Sequence, residues 1–456
     1  MACSTTVDKD IETPMTTNCL AIHGGPKAVQ SCQRDLFTWP IIMSEDEEAV
    51  LDVVRRGAMS GTDVTKQFEA EFAAWQGRRY ALGFSTGTAA LQSAMFAVGL
   101  GVGDEIIAPS LTYWASALQC FSLGATVVFA EVAPETLCID PGDIEHRITP
   151  HTKAVMVVHY VGHPADMDPI LDIARRHRVA LIEDVSHAQG GLYKGRKVGT
   201  FGDVAAMSLM SGKSLPIGEA GMLVTDDHAI YDRAVAFGHY ERYNETIQTE
   251  ALKPFVGLPL GGYKYRMHQC SSAMGRVQLK HYDQRAAEIR DAMNCFWDQL
   301  EGVPGIRPHR TSPGGDSNMA GWYAAHGHYR PEELGGLSVT GFARAVTAEG
   351  SICRPGGNRP LHLHPLFNTC DIYGHGKPTR LAHADRDLRQ PRGSLPVTES
   401  LARRLCGIPW FKRNYPELIE EHAQAYRKVA ENYRYLLSTD PGDPDDLGDW
   451  HFYVQR

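Results

Sequence analysis

No two of the ten cysteines stand in C-x-x-C spacing; they are scattered from Cys3 to Cys406. A chain of 456 residues can bury a core without covalent staples, so the thiols are expected to be reduced and the protein cytoplasmic. No apolar run approaches the length of a membrane span, which excludes a spanning helix. Basic residues are not in excess: 45 Lys and Arg against 54 Asp and Glu give a net charge of -9. That balance lacks the electrostatic footprint of a nucleic-acid binder. Internal repeats and low-complexity tracts are missing too. The opening "MACSTTVDKDIETPM" has neither a basic start nor an apolar core, and is not expected to be a signal peptide. What remains is ordinary globular composition, 43% hydrophobic and 22% charged.

Residues 1–35 are polar and aperiodic and read as an arm. From about Arg78 short apolar runs alternate with helical periodicity. "RRYALGF", "DEIIAP", "ATVVFAEV", "KAVMVVHYVG", "VALIEDVSHAQ", "DVAAMSLM" and "AGMLVT" read as strands. "STGTAALQSAMFAV", "DPILDIARRHR" and "AIYDRAVAFG" read as helices. That alternation predicts a largely parallel α/β sheet covered on both faces. Ligands of such sheets sit beyond the carboxyl ends of the strands. The rhythm stops near Pro254, and one long helical segment follows from Ser271 to Leu300. Residues 303–395 read as loops and short strands, and Pro396 to Leu437 as helical. The expected division is an arm over 1–35, a large cofactor-binding domain over 36–289 and a smaller C-terminal α/β domain over 290–456.

Three strand ends carry chemistry. Glu183 and Asp184 close one run; they suit a helix cap or salt-bridged strand end as well as a carboxylate buried to pair with a cation. Ser85, Thr86, Gly87 and Thr88 open a helix, where free N–H groups attract phosphate, although a plain cap uses the same residues. "SLMSGKSLPIGEAGMLVT" holds Lys213 in a loop of small residues, five after the strand-end Ser208. Gly212 and Gly218 let the backbone bend there. A partly desolvated lysine amine can form a Schiff base with an aldehyde. A phosphate cup, a strand-end aspartate and such a lysine together meet the needs of pyridoxal 5'-phosphate. His362 and His364 of "LHLHPLF" have no evident third ligand and are read as loop structure rather than as a metal site.

In order and spacing these motifs resemble the DegT/StrS family of sugar and aminocyclitol aminotransferases. The leader "LAIHGGPKAV", the turn "GTAALQSAM", "PSLTYWAS", "HYVGHPADMD", "EDVSHAQG" and the lysine loop all carry the resemblance. It implies the fold type I architecture of pyridoxal-phosphate transferases: a mostly parallel central sheet with helices on both faces, and a smaller C-terminal domain. It implies that Lys213 bonds the cofactor's aldehyde and that Asp184 pairs with its pyridine nitrogen. His187 would contact the ring hydroxyl, and Tyr113 would stack on the ring, with Trp114 as the alternative. Gly87, Thr88 and Ser208 would hold the phosphate. The family's "GYNYRM" segment reads "GYKYRM" here, so Lys264 would reach the phosphate of a neighbouring subunit in a homodimer with shared sites. Glutamate or glutamine would donate the amino group, and a keto-sugar or keto-cyclitol would accept it. His163 and Ala220 replace a usual glutamine and glycine. A different pyridoxal-phosphate reaction on the same scaffold stays open, as does a non-catalytic binder of cofactor or sugar.

Overall fold

The computed structural model describes residues 19–31 and 35–450. Cys3, Cys32 and most of the arm lie outside them. Seven strands form the main sheet: β1 (Tyr80–Phe84), β2 (Glu105–Pro109), β3 (Thr126–Ala130), β4 (Thr152–Val158), β5 (Ala180–Asp184), β6 (Val204–Ser208) and β7 (Gly221–Thr225). Their order is β1-β7-β6-β5-β4-β2-β3. The five from β6 to β3 run parallel, and β7 is antiparallel to both its neighbours. Strands β2, β3 and β7 are buried at every residue, so both faces of the sheet are covered. This is the largely parallel α/β sheet that the alternating runs predict.

Helices α1 (Ser44–Arg55) and α2 (Asp63–Gln76) precede the sheet; α3 (Gly87–Ala97) and α4 (Met167–His177) are interleaved with it, and α5 (His228–Gly238) follows its last strand. Helix α3 is rich in alanine and packs directly on β6 and β7. Thr86 caps its start, accepting a hydrogen bond from Ala89 N at 3.0 Å. Helix α6 (Gln269–Gln299) is 31 residues long. Its Tyr282 and Ala286 belong to the main core, while its Ile289, Met293 and Phe296 belong to a second one.

The second core lies under a four-stranded antiparallel sheet: β8 (Ile306–Pro308), β9 (His326–Tyr329), β10 (Arg354–Pro355) and β11 (Leu405–Gly407), in the order β8-β9-β11-β10. Helices α7 (Val339–Ala348) and α8 (Pro416–Glu431) complete it. Strand β11 corrects the reading of Pro396 to Leu437 as helical throughout. Its three residues are too few to show a period, and pairing with β9 and β10 decides their state. The arm is tied here as well: the buried Glu349 accepts from Ala21 N at 2.8 Å and Ala28 N at 3.0 Å.

Residues 361–401 return to the main core and close the free edge at β3. Gln390 gives that edge a substitute strand partner. Its amide accepts from Phe129 N at 2.9 Å and donates to Phe129 O at 2.8 Å. Both ring nitrogens of His362 are engaged, with Ser110 Oγ at 2.7 Å and Glu399 Oε1 at 2.9 Å. His364 caps a short helix, accepting from Leu366 N at 3.1 Å.

Candidate active site

The site lies at the carboxyl ends of β5 and β6 and the start of α3. Strand alternation divides the two carboxylates of β5. Glu183 is fully buried among backbone donors: Gly199 N (2.7 Å), Phe201 N (2.8 Å) and Gly202 N (2.7 Å), with His159 Nε2 at 3.1 Å. Burial opposes its charge, but His159 and these N–H groups outweigh that and hold its carboxyl below the usual range. It is a structural anchor. Asp184, 4% exposed, accepts from Ser116 Oγ at 2.7 Å and from Ser186 N at 3.0 Å. No ion pair occupies it among the described residues, so its charge is held in place by neutral donors.

Gly87 meets the end of β6. A Cβ there would stand 2.6 Å from Ser208 Cα, so only glycine brings the helix start this close. Gly221 is needed from the other side, since its Cβ would stand 2.3 Å from Thr86 O. The N–H groups of Gly87 and Thr88 precede the first intrahelical bond and make no hydrogen bond among the described residues. Thr88 is half-buried. Ser208 donates its N–H to Ser186 Oγ at 2.9 Å, which joins this cradle to the Asp184 loop.

Lys213 sits on the connection between the antiparallel strands β6 and β7. The ladder continues past both strand ends: Leu209 N bonds Ala220 O and Ser211 N bonds Gly218 O. Gly218 turns with φ +97°. The Lys213 N–H reaches Met210 O at 2.8 Å, and Trp39 Nε1 donates to the Lys213 carbonyl at 2.8 Å. The side chain is 9% exposed, with Nζ 4.0 Å from the ring centre of Tyr323. His187, buried beside it, accepts from Val161 N at Nδ1 (3.3 Å), so a neutral ring carries its proton on Nε2. Burial, the Lys213 charge and His326 push its pKa well below the ordinary value and keep it neutral.

Gly87, Thr88, Asp184, His187, Ser208 and Lys213 therefore converge. Tyr113 lies at the same end of the sheet, three residues before the Ser116 that holds Asp184, with its ring 4.8 Å from that of Trp114. Lys264 stands apart. It is exposed, and none of the ion pairs among the described residues involves it. The next residue, Tyr265, accepts from Ser85 N at 2.7 Å, so the segment borders its own phosphate turn through backbone.

Sequence reasoning missed Ser116, Ser186, Gln189 and Tyr323. Gln189 donates to Ser208 O at 2.7 Å and accepts from Ser214 Oγ at 2.6 Å, tying β6 to the lysine loop. Ser186 and Gln189 lie inside the quoted "EDVSHAQG", where a polar residue beside each candidate was the available signal. Tyr323 comes from beyond α6 and carried none.

The DegT/DnrJ/EryC1/StrS aminotransferase family matches residues 40–405. The L-glutamine:2-deoxy-scyllo-inosose aminotransferase of Micromonospora echinospora is 33% identical over 433 residues, covering 91% of this chain and 99% of that protein. The L-glutamine:scyllo-inosose aminotransferase of Streptomyces griseus is 31% identical over 437 residues, covering 91% and 98%. Among solved structures, DesV of S. venezuelae in complex with a ketimine intermediate superposes with TM-score 0.70 at 30% identity, covering 85% of this chain and 95% of that one. The α/β sheet, the strand-end constellation and these matches agree: the chain belongs to the DegT/DnrJ/EryC1/StrS aminotransferase family.

Proposed function

We propose that this aminotransferase uses pyridoxal 5'-phosphate to move an amino group from glutamine or glutamate to a keto-cyclitol or keto-sugar in the cytoplasm. One observation carries the reading: a buried lysine amine, a buried aspartate and a glycine-backed helix start meet at one sheet end. The cradle suits the cofactor, because it offers unpaired N–H groups at Gly87 and Thr88 to a phosphate. The bound cofactor supplies an aldehyde and an electron-accepting ring. Lys213 would hold that aldehyde, and its released amine would carry a proton from the donor's α-carbon to the former aldehyde carbon, on the other side of the transferred nitrogen. Asp184, fixed by Ser116 and Ser186, would keep the ring nitrogen protonated. His187 presents a neutral ring with its proton on Nε2, suited to donate to the ring hydroxyl. Tyr113 would cover the ring face. The inosose relatives favour a cyclitol as acceptor and glutamine as donor.

The test is reconstitution with pyridoxal phosphate, glutamine or glutamate, and scyllo-inosose or a 4-keto sugar nucleotide. An amino product matched mole for mole by a 2-oxo acid supports the reading. Decarboxylation, elimination or aldol cleavage without amino transfer overturns it.

We also infer a homodimer with shared sites, in which Lys264 reaches the partner's phosphate as a point charge. The exposed apolar residues Phe255, Leu258 and Leu260 near this segment support an interface. Mixing Lys213→Ala with Lys264→Ala protein should restore activity through hybrids with one intact site. Two impaired parents that exchange subunits without recovery would refute it.

A further inference from the structure

Three of the five residues from Ala320 to Ala324 adopt left-handed backbone. Ala320 has φ 45°, Trp322 has φ 51° and Ala324 has φ 54°. None is glycine, and such conformations are unfavourable for residues with a side chain and persist only where the surroundings enforce them. The alternation throws the intervening Tyr323 into the site, where it is 7% exposed. Its ring centre lies 4.0 Å from Lys213 Nζ and 4.7 Å from the His187 ring. The segment is braced on several sides. Trp410 Nε1 donates to Gly321 O at 2.9 Å, and the Trp410 ring meets Tyr323 edge-on at 5.6 Å. A Cβ on Gly321 would stand 2.4 Å from Ser214 Cβ, so this turn presses directly on the residue after Lys213.

We propose that Tyr323 is a positioning residue whose ring face is the perch of the Lys213 amine. An aromatic face attracts an ammonium within about 6 Å of its centre. In a reaction where Lys213 alternately lets go of a carbonyl carbon and takes up a proton, the free amine needs a place to wait. The ring holds it at the reacting end of the sheet. The phenol oxygen is not required, since the face alone makes the contact. The strain in the Ala320–Ala324 turn is what brings this face to the amine. The inference rests on the assignment of Lys213 as the working amine, and its first test does not depend on the reaction.

Cofactor-free protein is treated with an amine-acylating reagent across a range of pH, and labelling of the Lys213 peptide is quantified by mass spectrometry. In Tyr323→Leu, labelling of Lys213 near neutral pH should rise about three- to tenfold, as the aromatic face no longer holds the amine. Tyr323→Phe should stay within about twofold of wild type, because it keeps the face. Labelling of the exposed Lys194 should not change in either variant, and Tyr323→Met replaces the leucine variant if that one does not fold. In loaded enzyme, Tyr323→Leu should lower kcat with little change in donor KM, and Tyr323→Phe should restore kcat. Unchanged Lys213 labelling in the leucine and methionine variants overturns the proposal. So does a phenylalanine variant that behaves like leucine, which would assign the role to the hydroxyl. If labelling behaves as expected while no amino transfer occurs, the ring's role stands and the proposed reaction falls.

Discussion

The candidate site has two walls of different construction. One wall belongs to the main sheet: Asp184 and Ser208 end strands, Gly87 opens the helix behind one, and Lys213 lies in the loop that joins β6 to β7. Their positions follow from strand register, and the sheet is buried on both faces. The other wall is Tyr323 with Trp39 and Trp410, two indoles that pack against the second core. No regular element holds these three. A strained turn, two indole N–H bonds to backbone carbonyls and mutual ring contacts place them. The first wall carries the candidate reacting groups, and the second contacts Lys213, through the Tyr323 ring at its amine and Trp39 Nε1 at its carbonyl. Chemistry built on strand ends is thus rigid by default, whereas the facing wall is held by side-chain packing and should yield first.

The largest expected effect is on the sheet wall. Lys213→Ala should lower turnover by at least about 10⁴-fold, since the variant loses both the nucleophile and the proton carrier. Borohydride reduction of the loaded wild-type protein should label Lys213; a label on Lys194, Lys197 or Lys264 would contradict the assignment. Asp184→Ala should keep some cofactor through the Gly87 cradle yet lose about 10²- to 10⁴-fold in turnover, and near-normal rates would remove Asp184 from the mechanism.

Acid should weaken both sides of this comparison. Burial pulls His328 and His422, both in the second core, down to about 4, and pulls His239 in the main core down to about 3. A folded-state pKa below the unfolded value near 6.5 means that the unfolded chain binds more protons in between. This part of the stability is complete above about pH 6.5 and is lost as pH falls toward 4, by about 1.4 kcal/mol per pH unit for each such histidine. His187 at the main sheet is held neutral in the same way, so both bodies carry this term. Denaturant unfolding should show stability falling as pH drops from 6.5 toward 4, and a stability unchanged over that range would mean that these histidines are not held neutral by the fold. The smallest effect belongs to Ser116→Ala, which removes one hydrogen bond from a carboxylate and should slow turnover about tenfold. A Ser116→Ala rate equal to wild type would show that Ser186 N alone orients Asp184.

Much of the sheet was legible because its strands are continuous apolar runs, and several of them end at or just before a candidate site residue. Seven runs were read as strands and seven strands form the sheet. Residues 36–77 were not read as helices, although α1 and α2 lie there; their hydrophobic residues pack largely against α6, a partner far along the chain. The strand β11 escaped for the same reason, being defined by its neighbours rather than by its own three residues. At the site, the residues that touch one another through a single strand-end loop could be named in advance. Ser116 could not, because a serine in a short 3-10 turn has no signature until Asp184 is placed beside it.

By itself the amino-acid sequence determined the parallel sheet, the family, and the lysine, aspartate and glycine-backed turn at its carboxyl end. Hydrophobic periodicity and short-range backbone geometry are local properties, and local properties can be read along a chain. Tertiary structure alone decided that β5 turns Glu183 inward to backbone donors and Asp184 outward to the site. It also decided that residues 361–401 close the β3 edge and that Tyr323 faces Lys213. These depend on contacts between segments a hundred residues apart or more, or on which neighbour a strand face meets. Such contacts form only when burial forces the polar groups of both segments to find partners.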